Sequence, residues 1–208
     1  MPLHKFHVSG VLNHGADPGA RVYLWDDLWP HDPNAFLETI VRTLRAHIAA
    51  HGSLPDVLYL QLDNAASTNK NKFVLFFAGL LVAWKLFRKV KLSFLPVGHT
   101  HEDIDQMFSR FAEALRRADT LTWQSMADLF RKNFTFDGSP PTVEFMRDVY
   151  DYKAWMTPFM KKMKYHTEPG CFKFELNDDD SKVLVFARER MSGSKREAAR
   201  WQPAEGFD

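Results

Sequence analysis

"KVKLSFLPVGHTHEDIDQMFSRF", Lys89–Phe111, changes its hydrophobic period part-way along. "KVKLSFLPV" has the length and β-branching of a strand, whereas "THEDIDQMFSRFAEALRRA" places Ile104, Phe108, Phe111 and Leu115 on one face of a helix. The preceding segment repeats the pattern. "PDVLYLQLDN" is an apolar run bounded by Pro55 and by the polar "DNAASTNKN", as expected of a buried strand ending at Asp63. A helix over Phe73–Phe87 follows it. Strands alternating with helices predict an α/β fold with parallel strand pairs.

The N-terminal side adds strands. "HKFHVSGVLNHG" and "ARVYLWDD" form a predicted hairpin across "GADPG". Asn34 is the expected cap of a helix with Phe36, Ile40, Leu44 and Ile48 at spacing four, stopped by Gly52. Beyond Asp119 the character changes. "TLTWQSMADLFRKNF" reads as a helix, and "GSPPTVEFMRDVYDYKAWMTPFM" is aromatic-rich and broken by prolines. "CFKFELNDDDSKVLVFARER" reads as a hairpin turning at "NDDD". The expected division is a core over 1–120, a helical and β-hairpin appendage over 121–190, and a flexible tail over 191–208.

Composition narrows the function classes. With 208 residues, 45% of them hydrophobic and 14% aromatic, the chain has enough apolar surface for a full core, which excludes a disordered chain. A formal net charge of +1 gives no global field toward nucleic acid or membrane, so any basic surface must be local. Cys171 is the one cysteine, which excludes an intrachain disulfide and a thiolate zinc cluster. A reducing interior, nuclear or cytoplasmic, is the expected location. "MPLHKFHVSG" lacks the apolar core of a signal peptide. The longest apolar run, "FVLFFAGLLVAW", falls short of the ~20 residues that cross a bilayer, so no membrane partner is expected.

Two acids fall at strand ends, where α/β sheets place their sites. Asp63 ends one strand, and "GHTHEDID" follows the next. A carboxylate pair there suits Mg²⁺ or Mn²⁺, hard ions that prefer oxygen ligands. Helical spacing puts His101 and Asp105 on one face, which favours Asp105 as the acid and His101 as its neighbour or proton carrier. Glu102 is the fallback. A purely structural alternative stays open: Thr100 can cap the helix, with the acids complementing its dipole. "TNKNK" is either a helix start or a loop carrying Asn69, Lys70, Asn71 and Lys72 to phosphates. Further cationic runs are Lys85–Lys91 and Lys161–Lys164.

"LYLQLDNAASTNKNKFVLFFAGLLV" followed by "FRKVKLSFLPVGHTHEDIDQMFSRF" resembles the DUF7869 domains of transposon-related eukaryotic proteins. The resemblance extends over most of residues 3–190, and its specific parts are "QLDN....NKNK" and "GHTHEDID". It implies an RNase H-like mixed sheet flanked by helices, of the DDE transposase/integrase type. The implied activity is Mg²⁺-dependent phosphodiester cleavage and strand transfer on DNA. By position, Asp63 matches the second catalytic acid and Asp105 the third, both as metal ligands. The first acid belongs to an opening strand upstream of "HVSGVLNHG", and no aspartate precedes that stretch. That strand is central in an RNase H-like sheet, so its loss removes a ligand and leaves two strands without a partner. The expectation is a truncated, inactive nuclease domain with DNA, and optionally a homo-oligomer, as partner.

Two alternatives differ in kind. One is a non-catalytic transposon-derived remnant that binds nucleic acid or protein. The other is a metallophosphoesterase, whose Gly-His-x-His element matches "GHTH" while its companion Asp-x-His, Gly-Asp and Gly-Asn-His elements are missing.

Overall fold

A computed structural model describes residues 5–15, 17–63, 65, 67–95, 103–161, 163, 169–189 and 201–204. Its first elements are β1 (Phe6–Asn13), β2 (Gly19–Asp26), α1 (Pro33–His51), β3 (Val57–Leu62), α2 (Lys72–Ala83) and β4 (Lys89–Phe94). Then come α3 (Asp103–Arg116), α4 (Trp123–Asn133), β5 (Thr142–Phe145), α5 (Tyr152–Met156), β6 (Cys171–Leu176), β7 (Val183–Arg188) and β8 (Gln202–Pro203). The α/β expectation is met, with two mixed sheets in the orders β1-β2-β5 and β3-β4-β6-β7-β8.

The elements divide between two compact units, Met1–His31 with Glu38–Thr43 and His99–Tyr150, and Asp32–Leu37 with Leu44–Gly98 and Asp151–Asp208. The boundary expected near residue 120 falls inside the first unit. There α3 and α4 share one core, in which Met107 and Phe111 meet Met126, Ala127, Phe130 and Phe134 over Ala20, Val22, Leu24 and Val143. Phe111 stacks on Phe130 with ring centroids 4.1 Å apart. Helix α3 lies close on β1, because a Cβ on Gly10 would come within 2.3 Å of Met107 Cε and 3.1 Å of Ile104 Cδ1 and Phe108 Cζ. Glycine at that place lets backbone and helix approach.

In the second unit, β3 and β4 run parallel, and β6 adds antiparallel to β4. The β6–β7 hairpin expected in an appendage therefore continues this sheet. Alternation on β4 points Val90, Leu92 and Phe94 inward, in register with Phe174 and Phe172 of β6. Helix α2 covers that face with Val74, Leu75, Phe77, Ala78, Leu81 and Val82. Each such side chain contributes roughly 1.5–3 kcal/mol by leaving water.

Several local expectations shift. Asp32, not Asn34, caps α1, accepting from Asn34 N at 2.8 Å, with Pro33 preorganising the first turn. Asn34 instead donates to Asp151. Ile40 is buried as expected of the apolar face, whereas Ile48 is 40% exposed and Leu37, outside the expected set, is buried. Gly52 ends the helix as expected, at φ 78°. Helix α2 stops at Ala83, before Lys85 at φ 57°. The short strand β5, unmarked by strict alternation, pairs parallel to β2. Within the supposed tail, Gln202 and Pro203 pair with Ala187 and Phe186.

Among the described residues, β1 and β3 have one strand partner each. β1 pairs with β2 alone and β3 with β4 alone, so each forms an outer edge of its own sheet.

Candidate functional site

Asp63 follows the last residue of β3, and its side chain is exposed. Its Oδ1 accepts from Ala65 N at 3.0 Å and from Asn69 Nδ2. The other oxygen has no partner among the described residues. One carboxylate oxygen is thus fixed in a side chain that is exposed as a whole.

The loop that holds Asp63 also starts α2. Ala65 O accepts from Asn69 N at 2.8 Å and Lys70 N at 2.9 Å, closing a tight turn. Asn71 caps the helix, accepting from Phe73 N at 3.0 Å and Val74 N at 3.2 Å. Of the two roles open to "TNKNK", the helix start is the one these bonds build. Asn69 and Asn71 are both engaged by the protein itself. Lys70 is 5% exposed, with its Nζ over the Phe94 ring, and does not stand in solvent where a phosphate could meet it. Lys72 is exposed, lying over Phe73.

Asp105 is half-buried in the first turn of α3 and belongs to the first unit, with Asp103 one turn-position before it. Asp63 belongs to the second unit. His101, Glu102 and the whole of "GHTH" lie outside the described residues. Among the described residues, no group of three or more His, Cys, Asp or Glu is placed to hold a metal. The hard oxygen of Asp63 suits Mg²⁺ or Mn²⁺, but the described residues supply one oriented carboxylate rather than a finished cage.

The cationic runs resolve into separate roles. Lys85 pairs with Asp180 at 2.8 Å, and Lys89 with Glu175 at 2.8 Å. Lys161 is exposed, and most of the run after it lies outside the described residues. Arg42 is the charge hub of the first unit, reaching Glu38, Glu144 and Asp148. Burial works against its charge, yet the hydrogen bonds it donates to Glu144, Asp148 and Glu38 hold the guanidinium above its usual range.

Sequence reading missed one constellation altogether. Register aligns Tyr59, Lys91, Lys173 and Phe186 in a row across β3, β4, β6 and β7. The adjacent row is Val57, Lys89, Glu175 and Leu184. Lys91 Nζ lies 4.9 Å from the Tyr59 ring centroid, and Lys173 Nζ 4.0 Å from that of Phe186. The alternating cations of "KVKLSF" and "CFKFEL" were the available signal, but only the pairing sets them on one face. Glu175 sits there between lysines. Its burial opposes ionisation, but hydrogen bonds from Lys173 and Lys89 outweigh this and lower its pKa.

A family model for a domain of unknown function, DUF7869, matches residues 2–192. The chain belongs to the DUF7869 family. Neither a curated protein nor a solved structure matches it. The DUF7869 match takes in both sheets up to β7, the Asp63 loop and α3. No described helix of this DUF7869 domain is long and apolar enough to cross a membrane.

Proposed function

We propose that this DUF7869 domain acts on DNA as a transposase- or integrase-like domain of RNase H-like type, with Asp63 as a metal-facing carboxylate. The observation that carries the reading is the parallel β3–β4 pair with Asp63 at the carboxyl end of β3, held by one oxygen and exposed as a whole. Ligands of open α/β sheets meet the carboxyl ends of parallel strands. Asp105, with His101 and Glu102 near it in sequence, is a second candidate acid by its place in the sequence. Asp63 would be a ligand of Mg²⁺ or Mn²⁺, and such an ion would supply charge stabilisation at the phosphodiester and activation of the attacking oxygen. Asn69 and the Ala65 amide hold the Asp63 carboxylate in place.

Calorimetric titration with Mn²⁺ tests the assignment. Losing an outer partner of a metal ligand costs ~10–100-fold in affinity, so Asp63→Asn should cost roughly tenfold or more. An unchanged Mn²⁺ affinity in that variant sinks Asp63 as a ligand. Nicking of plasmid DNA that needs Mn²⁺ and disappears in both Asp63→Asn and Asp105→Asn supports the full reading. Nicking that survives both substitutions overturns it.

The second reading is a nucleic-acid-binding domain without catalysis, favoured by the cation-bearing sheet face of the second unit. DNA binding with no metal-dependent nicking is its expected result.

A further inference from the structure

The face of the five-stranded sheet opposite α2 carries a chemistry that stability alone does not call for. On the α2 face the strands present Val90, Leu92, Phe94, Phe172 and Phe174. On the other they present Lys89, Lys91 and Lys173, with Tyr59 on one side of them and Phe186 on the other. Arg188 lies in register with Cys171 on this same face, its guanidinium carbon 4.4 Å from the Trp201 ring centroid. Trp201 also lies 5.7 Å from Lys173 Nζ. The cations Lys89, Lys91, Lys173 and Arg188 face one carboxylate, Glu175, which leaves an excess of positive charge on a chain whose overall charge is +1. Arg188 Nε is buried without a hydrogen-bond partner among the described residues. Tyr59 is 67% exposed, so its ring is open to a visitor.

We infer that this face is a binding platform for single-stranded nucleic acid. Every base has a π-face, so rings spread over a sheet accept bases without sequence preference, while flanking cations track the phosphates. Tyr59 is the exposed stacking point, and Phe186, half-buried with Lys173 Nζ 4.0 Å from its ring centroid, braces that lysine for a phosphate contact. Charge and exposed aromatic area coincide here, and a duplex keeps its base faces covered. Single-stranded DNA or RNA is therefore the fitting partner. The inference extends the DNA-acting reading to a second surface and stands without Asp63.

Fluorescence anisotropy with a labelled oligo-dT tests it, using the full chain and a same-length duplex as competitor. Tyr59→Ala should weaken oligo-dT binding roughly tenfold, and Tyr59→Phe should retain it. Lys91→Gln should weaken binding and flatten its salt dependence. Lys132→Gln removes an exposed charge from α4, in the other unit, and should leave binding unchanged. Running the titration in EDTA, with no Mg²⁺ or Mn²⁺ present, separates this platform from the metal-facing role of Asp63. Three results overturn the inference. They are equal losses in Lys91→Gln and Lys132→Gln with Tyr59→Ala indifferent, a duplex that competes as well as the single strand, and no oligo-dT binding at low salt.

Discussion

The two units solve the problem of a sheet's second face differently. In the first, α3 and α4 close over β1, β2 and β5, and aromatic rings such as Phe111 and Phe130 meet inside. In the second, α2 seals one face while the other carries lysines braced against aromatic rings. An aromatic residue therefore means packing in the first unit and on the α2 face of the second, and presentation only on the second unit's other face. Burial, and not residue type, decides which. Phe111 is 2% exposed, and Tyr59 is 67% exposed.

The contrast breaks most visibly at those two positions. Phe111→Ala should cost ~3–5 kcal/mol in urea denaturation, since a cavity replaces a stacked ring. Tyr59→Ala should stay within ~0.5 kcal/mol, as for a surface position. Comparable losses at the two sites would mean that the second sheet face is packed after all. Gly10→Val probes how tightly the first unit is closed. The added carbons meet Met107, Ile104 and Phe108, and overpacking of this kind costs ~1–3 kcal/mol, read as a drop in the denaturation midpoint. An unperturbed midpoint would show that α3 can shift away from β1.

Asn71→Ala separates the structural and phosphate-binding roles of "NKNK". Loss of the α2 cap should cost ~1 kcal/mol of stability. Oligo-dT affinity should not change. The smallest effect concerns pH. The lowered pKa of Glu175 contributes stability above the ordinary carboxylate value, and that contribution disappears as pH falls through the lowered folded value. As pH falls below the ordinary glutamate range, the melting temperature should therefore fall further in the parent chain than in Glu175→Gln. Parallel pH profiles would show that the lysine bracing of Glu175 adds nothing to stability.

Much of the fold was legible residue by residue. The β1–β2 hairpin, β3 ending before Asp63, the Gly52 stop and the β6–β7 turn all follow from local steric and periodic signals. The cap of α1 was misplaced because Asp32 and Asn34 are both good capping residues, and only the backbone bond from Asn34 N to Asp32 distinguishes them. β5 escaped notice because a four-residue strand beside two prolines has little periodicity, and it is defined by pairing with β2. At the candidate site, Asp63 stood out by its place after a strand. The burial of Lys70 did not, because a lysine's stem is masked by its charge in any linear reading.

By itself the sequence determined the α/β class, most helices and strands, and Asp63 as a carboxylate at a strand end. These depend on neighbours within a few residues, where backbone sterics and side-chain period act. Tertiary structure alone decided that the strands form two sheets, that β1 and β3 are edges, and that Tyr59, Lys91, Lys173 and Phe186 share a row. Those facts depend on which strand pairs with which and in what register, and a one-residue slip would turn every one of those side chains to the opposite face.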